Sequence, residues 1–431
     1  MSTLQWVCIV ISHAVVLTAL ALLGRSLAHY VDVFKLGTPE HHRRDNKWQR
    51  TVTLLREFFL HTRMKRLPLV AAAHWFVAIG FLVLVLALLN AFGELFDPHF
   101  ALPIIGHWPP YEWAVEIMAW ATFWGIVVLI IIRQKNKPRA TDGDGGRRSR
   151  FFGSTFWQAY FVEFIILAVT TCIISIRGLE WVADDPANRT FAHYPTTGLI
   201  IGKVMENWFG HNHDLVVNLL VIVAALKIII SFTWMIVIAS YPTMGVAWHR
   251  FLAFANIWLK RHSDGRTSLG ALHPLLSNGE PIDFENPDDL DENTVLGARR
   301  IEDFTWKGLL DFTTCTECGR CQSQCPAWNT DKPLSPKLLI MNLREHAHAK
   351  APWMEASAEE RVLMPQQIQH LDEMPLVGDT GYNAAEPLTA YTPLGPNAVI
   401  DSDVLWSCTT CGACVEQCPV DIEHVDHIVD M

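Results

Sequence analysis

LPLVAAAHWFVAIGFLVLVLALLNAFG, residues 67–93, holds no Lys, Arg, Asp or Glu. Crossing the hydrocarbon core of a bilayer takes about 20 apolar residues, so this stretch reads as a transmembrane helix. Four further segments have the same character: about 4–28, 111–132, 155–176 and 215–240. The first has no basic segment ahead of it, and its apolar run is of full spanning length. It therefore reads as a retained helix and not as a cleaved signal.

Composition agrees. Of 431 residues, 50% are hydrophobic and 18% charged, against about 25% charged in soluble domains; the mean hydropathy is +0.19. Disordered, collagen-like and small disulfide-scaffold chains are excluded. The net charge of −10 is unevenly spread: residues 1–261 carry 24 Lys and Arg against 16 Asp and Glu, and residues 262–431 carry 10 against 28. Opposite charge and different hydropathy imply two domains in two environments. The division expected is a five-helix membrane domain at 1–261, a linker at 262–310 and a cysteine-bearing domain at 311–431.

Lys and Arg in the connections set the orientation. Residues 29–66 hold nine and 133–154 hold seven, whereas 94–110 hold none and 178–213 hold two. This predicts an outer N-terminus, cytoplasmic basic loops and a cytoplasmic C-terminal half. The same bias explains the basic loops without nucleic acid. Residues 139–150, RATDGDGGRRSR, read as a flexible polar linker. Trp108, Tyr111, Trp113, Trp181 and Trp208 are candidate interface anchors, and Glu112 and Glu116 are expected to be solvated near the outer interface.

The C-terminal half carries Cys315-x2-Cys318-x2-Cys321-x3-Cys325-Pro326, repeated as Cys408-x2-Cys411-x2-Cys414-x3-Cys418-Pro419. Three close thiolates wrap one face of a cubane, and the fourth, before proline, turns to the other cluster. The expectation is two [4Fe–4S] clusters: one on Cys315, Cys318, Cys321 and Cys418, the other on Cys408, Cys411, Cys414 and Cys325. Zinc usually shows two C-x2-C pairs without the further cysteines, and disulfides do not suit a reducing cytoplasm. Helices expected at 334–350 and 355–373, with a Gly/Pro-rich stretch at 375–397, indicate a mainly α ferredoxin-like domain. Cys8 and Cys172 lie in apolar helices and read as small buried hydrophobes.

A membrane domain joined to two clusters suggests electron exchange with a lipid-soluble carrier, and such domains commonly hold haem through histidines. The candidates are His13, His61, His74, His211, His213 and His249. His74 lies eight residues past Arg66, about 12 Å inward, and His249 follows Pro242 near the same side. They could face each other across one haem. From Leu215 to His249 a straight helix would run about 51 Å, so the last segment either projects from the membrane or kinks at Pro242. His13 reads as a helix-packing residue, with ligand or quinone contact the alternative; His211 and His213 read as outer-surface residues.

RMKRLPLVAAAHWFVAIGF around His74 and ASYPTMGVAWHRFLAFANIW around His249 resemble the nitrate reductase gamma-subunit type of haem-b membrane domain. Fused to the cysteine motifs, the arrangement is similar to bacterial membrane-bound electron-transfer-flavoprotein dehydrogenases and, more distantly, to heterodisulfide-reductase-like subunits. The resemblance implies haem b, menaquinone and a flavoprotein partner. Leu84 and Ser231 stand where that pattern has the histidines of an outer haem, so it implies one haem b, on His74 and His249. The family normally continues into cysteine-rich CCG modules, whereas this sequence stops at Met431; such a module is expected on a partner or on a longer chain.

Glu163 and Lys227 lie within apolar runs, where a charge costs about 2.5–3.5 kcal/mol on insertion. They read as a mutual ion pair or as a proton route to a quinone. The function expected is passage of electrons from a reduced electron-transfer flavoprotein, or another cytoplasmic flavoprotein, through two clusters and haem b to menaquinone. The rivals are quinol-driven reduction of a disulfide through a partner module, and a non-catalytic electron conduit or anchor. No G-x-G-x-x-G, Walker A, G-x-S-x-G or C-x-x-C-H signature occurs.

Overall fold

The computed structural model describes residues 1–40, 43–267, 269–272, 274–277, 280–283, 285–286 and 296–431. The expected linker at 262–310 therefore lies partly outside the described residues. Among the described residues the architecture is mainly α, with two-residue strands only, and five helices are long and apolar enough to cross a membrane.

The helices run α1 Thr3–Leu36, α2 Lys47–Leu60, α3 Pro68–Glu94, α4 Pro109–Lys135, α5 Phe156–Ala183, α6 Lys203–Phe209, α7 His213–Ser240 and α8 Gly245–Trp258. After these come α9 Trp306–Thr314, α10 Arg320–Gln324, α11 Pro326–Asn329, α12 Pro336–Glu355, α13 Ala358–Leu363, α14 Gln366–Glu373, α15 Ser402–Trp406, α16 Ala413–Gln417 and α17 His424–Asp430. Two compact units share them: 1–25, 64–135 and 157–240 form the first, and 26–63, 136–156 and 241–431 the second. The division is thus interleaved and does not follow one cut at residue 261.

In the first unit α3 and α4 pack closely. A Cβ on Gly125 would stand 2.9 Å from the Ala73 carbonyl oxygen, and Thr122 Oγ1 donates to the Phe76 carbonyl at 3.0 Å. Small residues and single hydroxyl bonds are what draw helices together where lipid removes the hydrophobic incentive. Ala91, Leu95, Leu220, Val221, Ala224 and Ile228 fill a core between α3 and α7. Three expectations are corrected here. Trp181 is buried, beneath Gly198 and Gly202, and is no interface anchor. Glu112 and Glu116 are buried too: Glu116 pairs with Arg177 at 3.1 Å and accepts from the Thr197 amide at 2.8 Å, while Glu112 meets His193 Nδ1 at 2.7 Å. In a low-dielectric bundle a carboxylate persists by finding such partners.

The second unit builds its core from Phe312, Leu339, Ile340, Leu343, Leu376 and Ile400. Thr305 caps α9 by accepting from the Gly308 amide at 3.3 Å. Ser335 caps α12 from Leu338 at 3.2 Å, with Pro336 opening the helix. A two-residue strand, β1 (Val377–Gly378), pairs in parallel with β2 (Ile400–Asp401). Residues 139–150 are not a free linker. Arg147 is buried with its guanidinium 3.9 Å from the Trp328 ring centroid, and Trp328 Nε1 donates to the Arg147 carbonyl at 3.1 Å. The helix expected at 355–373 is two, α13 and α14, split at Pro365. Between α7 and α8 the chain turns through Tyr241–Met244, so His249 stands on a separate helix after Pro242.

Candidate functional site

The two cysteine motifs fold alike. Cys315 closes α9; Glu317 and Gly319 then take left-handed conformations, φ +56° and +68°, and α10 carries Cys321. In the repeat Thr410 and Gly412 sit at φ +51° and +71°, and α16 carries Cys414. Cys325 and Cys418 are extended, φ −71° and −69°, each ahead of its proline. The left-handed steps wind three thiols around one centre, and the extended step sends the fourth away.

The fourth thiols cross over. Cys325 joins Cys408, Cys411 and Cys414 around one cavity. The thiols that act most on Cys321 are Cys318, Cys315 and Cys418, with Cys414 after them, and Cys418 is in turn acted on by Cys318. Among the described residues no three His, Cys, Asp or Glu side chains converge closely enough to hold a single ion. Thiols that ring a cavity without meeting at a point suit a cubane, whose four irons stand apart, better than mononuclear zinc. Burial pushes the thiol of Cys315 up to about 11 and that of Cys414 up to about 12. Such thiols ionise only beside a strong positive charge, which iron supplies. The two quartets differ in exposure: Cys411 is exposed, whereas Cys315, Cys321 and Cys418 are buried.

Arg344 went unnoticed in the sequence. It lies on the buried face of α12 and donates to Glu317 at 2.8 Å and, at 3.4 Å, to the Cys315 carbonyl. Glu317 also accepts from the Thr155 amide at 2.8 Å. The signal was an arginine in register with Leu339, Ile340 and Leu343, the positions that build the core.

His74 stands in the second turn of α3, half-buried, in the first unit. His249 stands in α8, in the second. Its Nδ1 lies 3.2 Å from the Gly245 carbonyl oxygen. A carbonyl only accepts, so Nδ1 carries the proton and Nε2 the lone pair, the tautomer that ligates iron. Burial, aided by the neighbouring Arg250 charge, pushes this imidazole down to about 4 and keeps it neutral. Donor chemistry at His249 therefore fits a residue that would hold haem iron. His13 and His61 make the same kind of bond, Nδ1 to the Ile9 carbonyl at 2.8 Å and Nδ1 to the Phe58 carbonyl at 2.7 Å, so this tautomer does not by itself single out His249.

The suggested Glu163–Lys227 pair does not form. Glu163 Oε1 accepts from Arg133 Nε at 2.7 Å, so the positive partner comes from the end of α4. Lys227 is buried in α7 and lines the same cavity as Glu94.

Residues 314–422 match the family described as a 4Fe-4S dicluster domain. The chain is 28% identical over 408 residues to "EtfAB:quinone oxidoreductase" of Syntrophomonas wolfei, a match covering 93% of this chain and 51% of that protein. It is 39% identical over 145 residues to a "probable membrane-anchored ferredoxin" of Chromohalobacter salexigens, covering 33% of this chain and 19% of that one. It is 38% identical over 162 residues to the "probable iron-sulfur-binding oxidoreductase FadF" of Bacillus subtilis, covering 35% and 21%. The chain thus spans about half or less of the curated relatives it matches. No solved structure matches it. Cysteines, spanning helices and relatives agree on a multi-pass membrane protein bearing a 4Fe–4S dicluster domain.

Proposed function

We propose that this chain carries electrons from a reduced cytoplasmic flavoprotein of the electron-transfer-flavoprotein type to menaquinone in a bacterial inner membrane. Cys315, Cys318, Cys321 and Cys418 hold one cluster and Cys408, Cys411, Cys414 and Cys325 the other; His74 and His249 hold one haem b. When bound, these groups supply one-electron steps between a two-electron donor and a two-electron acceptor. The N-terminus lies outside and the dicluster domain in the cytoplasm, as the Lys and Arg bias of the connections asks.

The observation that carries this reading is the crossed pair of thiol quartets in a chain that also has five spanning helices. The chain's own residues divide the work. Exposed Cys411 marks the second quartet as the side a soluble donor can approach. In the first quartet Cys315, Cys321 and Cys418 are buried, and Cys315 and Cys418 pack in the core with Phe312 and Leu339. Gly245 orients His249 through its carbonyl. The similarity to a protein named for a flavoprotein-to-quinone reaction supports the direction, and a "membrane-anchored ferredoxin" relative supports the wiring.

Anaerobic stopped-flow absorbance of the detergent-solubilised chain tests this. Reduced electron-transfer flavoprotein should reduce iron–sulfur and haem absorbance, and added menaquinone should reoxidise both. Reduction by menaquinol alone would turn the direction round. A preparation without a b-type band would remove the His74 and His249 assignment and leave an iron–sulfur membrane protein.

A further inference from the structure

The first unit contains a cavity of about 320 Å³ among α3, α4, α5 and α7, at the end that carries the 95–108 and 184–212 loops. That volume is in the range of small-molecule sites. Most of its charged lining is already paired. Arg177 holds Glu180 at 2.6 Å, and Asp184 accepts from Tyr194 at 3.0 Å. Two groups stand apart. Glu94, 2% exposed, accepts from Asn90 Nδ2 at 2.6 Å through Oε1, while Oε2 has no partner among the described residues. Lys227, also 2% exposed, shows neither a side-chain hydrogen bond nor a carboxylate within 4.0 Å among the described residues, though its charge acts on Glu94. Among the described residues an ammonium on a side chain 2% exposed and a buried carboxyl oxygen thus stand without partners, which a low-dielectric bundle disfavours, and both residues line one cavity.

We propose that this cavity takes the headgroup of a quinone, with Lys227 and Glu94 as the groups that exchange its protons. The chemistry suits both redox forms. The oxidised ring presents carbonyl oxygens, which need a donor, and Lys227 provides one. The reduced ring presents hydroxyls, which need an acceptor, and Glu94 Oε2 provides one. Reduction takes two electrons, delivered through the chain from the flavoprotein, and two protons. Both ring C=O bonds become C–OH; the Glu94 carboxylic acid gives one proton and the Lys227 ammonium the other. Both residues recover their protons from water at the loop end, past His99 and His107, which also line the cavity. Those loops are the connections poor in Lys and Arg, so the protons come from the outer side. Glu163, tied to Arg133, takes no part.

This inference rests on the quinone reading above, and its test separates the two. The full chain in lipid nanodiscs is reduced with dithionite, freed of excess reductant and mixed with a short-tailed menaquinone, following oxidation of the iron–sulfur absorbance. Lys227→Met should raise the half-saturating quinone concentration about tenfold or more. Glu94→Gln should slow the limiting rate about a hundredfold and remove a limb from its pH profile. Glu163→Gln should leave both unchanged. Photolabelling of the unaltered chain with an azido-naphthoquinone needs no variant and should mark peptides of α3 and α7 around Asn90 and Lys227. Quinone oxidation that is unchanged in the Glu94 and Lys227 variants, or labelling confined to other helices, overturns the cavity assignment and leaves the quinone reading standing. Failure of menaquinone to oxidise the unaltered chain overturns both.

Discussion

Arg344 and Glu317 form a buried ion pair, Nη2 to Oε1 at 2.8 Å, with side chains 1% and 6% exposed. It ties the first cysteine loop to α12. Removing one partner of such a pair strands the other charge, at a cost of about 3–5 kcal/mol, whereas removing both costs less. Arg344→Met should therefore lower the urea midpoint for loss of iron–sulfur absorbance sharply, and the double variant Arg344→Met with Glu317→Gln should recover much of it. A double variant no better than the single one would assign the loss to Arg344 packing and not to the pair.

Gly319 and Gly412 share a conformation but not surroundings, so the same substitution should act unequally. An alanine at φ near +70° costs about 1 kcal/mol in backbone strain at either position. Among the described residues the added Cβ at Gly412 meets only Leu269 Cβ, at an ordinary 3.5 Å. At Gly319 it runs into the Arg150 carbonyl, which is backbone and has little room to move. Gly412→Ala should keep both clusters, about eight irons per chain; Gly319→Ala should lose about four. Iron analysis of the two purified variants decides it, and equal iron would contradict the close approach at Arg150.

The crossing of the fourth cysteines makes a prediction that sequence order would get wrong. Cys418→Ser should perturb the same electron paramagnetic resonance signal as Cys318→Ser, although the two lie in different motifs. Cys325→Ser should resemble Cys411→Ser. If Cys418→Ser instead shared its lost signal with Cys411→Ser, each motif would hold its own cluster, and the neighbourhoods of Cys321 and Cys325 would need another explanation.

Much of the fold was legible because hydrocarbon leaves little choice: an uncharged run such as 67–93 becomes a helix, here Pro68–Glu94. What escaped was the use of charge. The basic connections read as orientation signals, and the acidic C-terminal half as a separate environment. In the second unit they neutralise each other. Arg43 holds Glu423 through two bonds of 2.6 and 2.7 Å. Lys260 bridges Glu57 and Asp421 at 2.5 and 2.8 Å, and Arg63 joins Asp421. Buried pairing depends on contacts between residues hundreds of positions apart, which local pattern does not contain. The same limit hid Glu94. It closes an uncharged run, and only the fold places it near Lys227.

Acid should loosen the second unit through histidines it keeps neutral. Burial, helped by Lys350, pushes His346 down to about 4, with its Nδ1 2.9 Å from the Pro393 carbonyl oxygen. Burial, with the charges of His29 and Arg344 nearby, pushes His348 down to about 3, its Nδ1 3.0 Å from His29 Nε2. Unfolded, each would take a proton near pH 6.5. Below that value the unfolded chain binds protons that the folded chain refuses, so stability falls with pH until the folded values near 4 and 3 are reached. It is fully present above about pH 6.5. Between pH 7.5 and 5.5 each histidine should cost about 1 kcal/mol. The urea midpoint of iron–sulfur absorbance, measured at both pH values, should drop less in a His346→Gln, His348→Asn double variant, since neither replacement titrates. An equal drop in that variant would move the acid sensitivity to other groups, such as the carboxylates paired with Arg43 and Lys260.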